Sequence, residues 1–248
     1  MRYLEVDRLQ KRFVGLTAID NLSFQLEKGE ILGLVGPNGA GKTTLFNLIT
    51  GFLKPTEGEI IFQGETINGL RPHKIVKRRI SKTFQIPKPF HSLSCLENIV
   101  VSLISNFKAP KDEKKQVYER AKDIMEVVGL QEKNDMLPEA LTQGDLKILE
   151  VGKAMATDPK LLLLDEPFAG LTVNEIGQLS SLIQTLHQRG LTVIIIEHKL
   201  RELMKIIKRV IVLNFGVKIA DGSPEEVTRN KKVVEAYLGA GGSSFGSA

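Results

Sequence analysis

Residues 36 to 44 read Gly-Pro-Asn-Gly-Ala-Gly-Lys-Thr-Thr and follow directly on the apolar run Ile31-Leu32-Gly33-Leu34-Val35. A buried strand that runs into a glycine-rich turn carrying a lysine is the G-x-x-x-x-G-K-[ST] arrangement that holds phosphate. Gly36, Gly39 and Gly41 let the backbone curl until successive N–H groups face inward, a shape that a Cβ would hinder. Lys42 is placed to meet the β- and γ-phosphates, and the helix expected to start there turns its positive end to the same point. The Thr43 hydroxyl is placed to hold Mg²⁺. Pro37, Asn38, Ala40 and Thr44 complete the candidate contacts to the phosphates.

A second chemical segment is Leu161-Leu162-Leu163-Leu164-Asp165-Glu166-Pro167, four apolar residues running to two adjacent carboxylates. Ligands of open α/β sheets bind at the carboxyl ends of strands. Neighbouring side chains on a strand point to opposite faces, so Asp165 and Glu166 can converge only if the chain turns, which Pro167 encourages. Two jobs are then available: Asp165 positions Mg²⁺, and Glu166 orients and polarises the water that attacks the γ-phosphate.

These residues need a scaffold, and the pattern of the chain supplies one. Short strands are expected at Leu4 to Val6, Leu22 to Leu26, Ile31 to Val35 and Glu59 to Phe62, with a helix from Lys42 to about Phe52. From about Ile86 to Ala156 the pattern is helical, around Leu96 to Leu103, Lys114 to Val128 and Gln143 to Ala156. Strand Leu161 to Leu164, helix Asn174 to Arg189, strand Val193 to Ile196, helix Leu200 to Ile207 and strand Val210 to Leu213 then alternate. Uninterrupted apolar strands separated by helices mean a parallel sheet covered on both faces.

The resulting expectation is an α/β P-loop NTPase core with a mainly parallel sheet, an N-terminal antiparallel β subdomain and an inserted α-helical subdomain. The β subdomain takes about 1–30 and 56–84, the nucleotide-binding core 31–55 and 157–238, and the helical subdomain about 86–156. The glycine- and serine-rich stretch 239–248 reads as a flexible tail.

Composition narrows the partners. At 248 residues the chain holds one substantial core with an insertion. Charged residues are 25% of it, and no apolar run reaches the ~20 residues that cross a bilayer. With no apolar secretory core at its start either, the expected location is cytosolic. The net charge of +5 is diffuse. Its densest cluster, Lys74, Lys77, Arg78, Arg79 and Lys82, lacks interleaved aromatics and reads as a solvated face, with no nucleic-acid partner. The single Cys95 reads as a packing residue, and His73, His91 and His187 as surface or packing residues.

With these motifs in order, the chain resembles the ATP-binding subunits of ATP-binding cassette (ABC) transporters over residues 1 to about 238. The resemblance implies that Phe13 stacks on adenine, that Gln85 touches Mg²⁺ or the attacking water, and that His198, after Ile194-Ile195-Ile196-Glu197, contacts the γ-phosphate. Glu166, His198, Gln85 and Lys42 are thus the candidate catalytic set, and Thr43, Gln85 and Asp165 the metal set. Leu141-Thr142-Gln143-Gly144-Asp145 stands where the family has Leu-Ser-Gly-Gly-Gln, the signature that completes the ATP site of the opposite subunit. Thr142 keeps a hydroxyl and Thr-x-x-Asp can cap a helix, but a free Asp145 carboxylate would weaken closure on ATP. Thr172 likewise replaces the family's aspartate in Ala169-Gly170-Leu171-Thr172.

Closer in, Thr44 to Gly51, Thr83 to Pro87, Ile196 to His198 and the closing Glu235-Ala236-Tyr237-Leu238-Gly239 resemble the first ATP-binding subunit of branched-chain amino acid importers. That resemblance implies a peripheral ATPase on the cytoplasmic face of the membrane with transmembrane permease subunits as partners. A second ATP-binding subunit would pair with it, an unlike one rather than a copy given the altered signature. An extracytoplasmic substrate-binding protein would take part indirectly. A soluble ABC ATPase acting on nucleic acid or other machinery is the alternative.

Overall fold

The computed structural model describes residues 2–106 and 114–238. The tail expected at 239–248 lies outside the described residues. Two sheets and a set of helices make three layers.

The chain opens with a long hairpin, β1 (Arg2–Phe13) and β2 (Leu16–Glu27), turning at Val14-Gly15. The short strands expected here are only the apolar centres of these two. Leu4, Val6 and Leu9 of β1 and Leu22, Phe24 and Leu26 of β2 are buried, whereas the charged positions between them face out. Register irregularities interrupt the pairing between Val6 and Lys11, and Arg8 has a positive φ of 42°. Next come β3 (Ile31–Val35), α1 (Lys42–Ile49), β4 (Glu57–Phe62) and β5 (Glu65–Thr66). The four strands of the antiparallel sheet lie in the order β2-β1-β4-β5.

A short helix, α2 (Pro72–Lys77), leads to β6 (Ile80–Lys82). The range 56–84, assigned above to the β subdomain, is therefore divided. Its first half pairs with β1, but β6 pairs in parallel with β7 (Leu161–Asp165) of the other sheet. Three residues are too few to show a burial pattern, so that membership was invisible in the sequence. The helices α3 (Cys95–Asn106), α4 (Lys114–Val128) and α5 (Gln143–Met155) follow, close to the expected spans. The chain finishes with α6 (Val173–Gln188), β8 (Thr192–Ile196), α7 (Leu200–Met204), β9 (Arg209–Asn214), β10 (Val217–Gly222), α8 (Pro224–Thr228) and α9 (Lys231–Leu238). Strand β10 is half-exposed along its length, which is why no apolar run announces it.

The larger sheet has the order β10-β9-β3-β8-β7-β6, parallel except for the β9–β10 hairpin. All five residues of β3, β7 and β8 are buried. Alternate side chains serve opposite cores: Leu161, Leu163, Ile194, Ile196, Leu32 and Leu34 face the antiparallel sheet and α1. Leu162, Leu164, Val193, Ile195, Ile31 and Val35 face the layer of α3, α5 and α6. The parallel register sets Leu34 beside Ile196 and Ile196 beside Asp165, so the carboxyl ends of β3, β8 and β7 lie along one edge. The phosphate loop, the Asp165–Glu166 pair and the segment leading to His198 leave the sheet there.

Leu163 lies fully buried on β7, between β8 and β6. Leu163→Ala is expected to cost about 2–5 kcal/mol and to lower the urea midpoint with an unchanged slope.

Candidate nucleotide site

The turn after β3 wraps against two other segments. A Cβ on Gly36 would stand 2.1 Å from the Leu213 carbonyl oxygen, and one on Gly41 2.5 Å from that of Ala18. Gly39, Gly41 and Gly36 all have positive φ, at 79°, 99° and 153°. Glycine is thus required here both by close main-chain approach and by the left-handed backbone. The Gly216 N–H donates to the Ala40 carbonyl at 3.0 Å, clipping the loop to the β9–β10 turn. From α9, Tyr237 reaches the backbone of Gly36, and burial pushes its hydroxyl pKa up.

Helix α1 begins at Lys42 with Gly41 as N-cap and no side-chain cap, so its first-turn N–H groups are left to a ligand. The buried Lys42 ammonium donates to the Gly36 carbonyl at 2.7 Å and the Pro37 carbonyl at 2.9 Å. Burial lowers its pKa against the pull of Glu166 and Asp165. Thr43, Asn38 and Gly39 are exposed, Pro37 and Thr44 half-buried, and Ala40 buried. Phe13 is 43% exposed at the hairpin end, so its ring is no core residue, and Lys11 lies 5.0 Å from the ring centre.

At the end of β7 the expected turn is present. Glu166 has φ 49°, and its N–H donates to the Ile196 carbonyl at 2.9 Å. Its carboxylate is held from two sides. The Gln85 amide donates to Oε2 at 2.7 Å, and His198 Nε2 lies 3.0 Å from Oε1. Asp165 is only 5% exposed and pairs with Lys82 at 2.9 Å. Thr43, Gln85 and Asp165 offer hydroxyl, amide and carboxylate oxygens, the hard donors that suit Mg²⁺.

Two residues that sequence reasoning missed frame this edge. Glu197 is 1% exposed, and its carboxylate accepts N–H bonds from Phe168, His198 and Lys199 at 2.6, 2.8 and 3.0 Å. A carboxylate directly after the apolar run 192–196 was the available signal. Lys147 of α5 is 6% exposed and donates to the main-chain carbonyls of Gln85 and Glu166. A lysine within an amphipathic helix gave no signal at all.

The segment Thr142 to Asp145 opens α5, with Thr142 as N-cap. Asp145 N–H donates to Thr142 Oγ1 and Thr142 N–H to Asp145 Oδ2, each at 3.1 Å. Asp145 Oδ2 also pairs with Lys133 at 2.6 Å. The free carboxylate allowed for above is therefore engaged in capping and neutralised. Gln143 is exposed, and Gly144 is buried with its N–H on Glu175 Oε1 at 3.0 Å. Thr172 caps α6 in the same manner, with Glu175 as its partner. The Thr172 backbone first, then its hydroxyl and Gly144 N–H, hold the Glu175 carboxyl from 4.5 down to about 2.

The basic cluster is largely spent internally: Arg78 pairs with Glu65, Arg79 with Asp158 and Lys82 with Asp165. Cys95 is fully buried, His73 and His91 are exposed, and His187 bonds the Gly29 carbonyl. Among the described residues no helix is long and apolar enough to cross a membrane.

This fold and site are matched by known proteins. The ABC transporter family profile matches residues 19–169, and the profile described as branched-chain amino acid ATP-binding cassette transporter matches 217–243. The chain belongs to the ABC transporter family, as one of its ATP-binding, ATP-hydrolysing cassettes. It is 38% identical over 248 residues to the high-affinity branched-chain amino acid transport ATP-binding protein BraF of Pseudomonas aeruginosa, covering 95% of this chain and 97% of that one. Identity and coverage are the same for the LivG protein of Escherichia coli K12, which carries the same description. Among solved structures, an ATP-binding cassette of an ABC transporter in its ADP conformation superposes with TM-score 0.89 at 33% identity, covering 96% of this chain and 99% of that one. A nucleotide-free cassette gives 0.87 at 32% identity with the same coverage.

The depressed Glu175 carboxyl contributes stability that is full above pH 4.5 and lost as pH falls through about 2. Glu175→Gln should melt below the parent at neutral pH, and the gap in thermal midpoint should close over that window.

Proposed function

We propose that this chain hydrolyses MgATP on the cytoplasmic face of a membrane to energise an importer of branched-chain amino acids. The observation that carries the chemistry is the Glu166 carboxylate held between Gln85 and His198 at the sheet edge that also bears the phosphate loop. The two branched-chain transport proteins that match nearly the whole chain, and the C-terminal profile at 217–243, support the cargo.

The uncapped N–H groups at the start of α1 and the Lys42 ammonium neutralise the phosphate chain, while Phe13 offers an exposed ring to the base. Thr43, Gln85 and Asp165 would hold Mg²⁺, which when bound supplies charge neutralisation between the phosphates. Glu166 orients the attacking water and draws on its proton. Gln85 and His198 fix the rotamer of that carboxylate and sense the γ-phosphate. ATP drives the partners only through its different affinity for the open and closed arrangements.

Transmembrane permease subunits, a second and unlike ATP-binding subunit facing Thr142 to Asp145, and indirectly an extracytoplasmic substrate-binding protein complete the assembly. The internal pairing of Arg78, Arg79 and Lys82 disfavours the alternative of a soluble ATPase on nucleic acid.

Two measurements test this reading. Glu166→Gln should bind ATP as the parent does and lose hydrolysis by roughly 10²-fold or more; turnover at the parental rate would remove Glu166 from the role of base. The tagged chain, purified from gently solubilised membranes of its source, should carry two multi-span proteins and a second cassette. Recovery of ribosomal or nucleic-acid factors alone would overturn the transport assignment.

A further inference from the structure

Lys147 lies one helical turn past Gly144 on α5, and its ammonium is buried at 6% exposure. It donates to the Gln85 carbonyl at 2.5 Å and to the Glu166 carbonyl at 3.1 Å. The side chains of the same two residues are already joined, Gln85 Nε2 to Glu166 Oε2 at 2.7 Å. Gln85 and Glu166 are therefore tied twice, once through side chains and once through main chains, and the main-chain tie passes through a residue of neither loop.

Burying an ammonium is costly, and an apolar side chain of similar length would fill the space with less desolvation. Burial lowers the Lys147 pKa, and Glu197, Glu166, Asp165 and Glu150 pull it part of the way back. A positive charge retained at such a place, with its donors on the backbones that carry the water-activating and phosphate-sensing side chains, serves geometry rather than packing. Helix α5 is also the element whose first turn is capped by Thr142 and whose Gly144 N–H is bonded to Glu175. A displacement of α5 beyond the reach of the lysine stem breaks these two bonds.

We propose that Lys147 is a positioning residue for ATP hydrolysis: it locks the Gln85 and Glu166 backbones to α5, so that hydrolysis proceeds only when the helical layer is seated. This rests on the reading of Glu166 and Gln85 given above. It extends that reading by assigning the coupling between the helical insertion and the catalytic edge to one ammonium group.

The test uses the assembled complex purified from membranes, carrying either the parent chain or one of three variants, Lys147→Met, Lys147→Gln and Lys147→Arg. Steady-state MgATP hydrolysis, equilibrium binding of a fluorescent ATP analogue and the thermal midpoint are measured for each. Lys147→Met removes both donors and should lower kcat roughly 10- to 100-fold, the scale on which misplacement of a catalytic group is felt, with KM and analogue affinity unchanged. Lys147→Arg can still donate to two carbonyls and should recover most of kcat. Lys147→Gln keeps an N–H donor without the charge and should fall between them. If Lys147→Met does not fold, Lys147→Gln decides: reduced kcat at unchanged KM and thermal midpoint supports the proposal, and parental kcat overturns it.

Parental turnover in Lys147→Met also overturns it. So does a loss of kcat that tracks the thermal midpoint and is no smaller in Lys147→Arg, since that pattern belongs to a packing residue. An assembled complex with the parent chain that hydrolyses no MgATP would overturn the underlying reading and this inference together.

Discussion

The parallel register of β3, β8 and β7 governs what the rest of the molecule can do. Because Leu34, Ile196 and Asp165 stand side by side, three separate loops leave the sheet within reach of one another. The register is fixed by burial on both faces. A slip of one residue would move Leu163 and Ile194 from one core to the other and exchange whole sets of side chains between layers with different partners. The precision of the site is thus inherited from hydrophobic packing well away from the reacting atoms, which is the rigid support that preorganised charge stabilisation needs.

Around that edge the structure uses main-chain groups more than side chains as the fastening points. Glu197 gathers three N–H groups from two loops, Lys147 holds two carbonyls, and the Glu166 N–H is bonded to the end of β8. The functional side chains then have little freedom left. Glu166 takes a left-handed backbone conformation at the end of β7, and the two adjacent carboxylates have separate partners, Gln85 and His198 for Glu166 and Lys82 for Asp165. The capping boxes at Thr142 and Thr172 meet through the Gly144 N–H on Glu175, so the start of α5 and the start of α6 share one carboxylate.

Much of this was legible because it is local. Gly36 to Thr44 after an apolar run, Leu161 to Glu166, and the amphipathic pattern of 114–128 each declare themselves within fifteen residues, and the structure places them as read. The features that were not legible depend on contacts far apart in sequence. Strands β1 and β2 extend well beyond their apolar centres because pairing, not hydrophobicity, sets their length. Strand β6 belongs to the parallel sheet only by virtue of β7, some eighty residues later. The charge on Asp145 could be judged only once Lys133 was seen beside it, and Lys147 only once two distant carbonyls were. Sequence spacing shows which groups are available, while the sheet decides which of them meet.

The nearest obstacles to a Cβ on Gly36 and Gly41 are carbonyl oxygens, of Leu213 and Ala18, with the Ile19 side chain next at Gly41. Every amino acid brings the same oxygen to those two places, so no side-chain exchange at 213 or 18 can make room. The phosphate loop is in effect cast against a mould of bare polypeptide, and a lesion at either glycine should be cured genetically by true reversion rather than by a compensating change in its neighbours. The closest limit on the loop's most demanding geometry is thus set by atoms that mutation cannot alter.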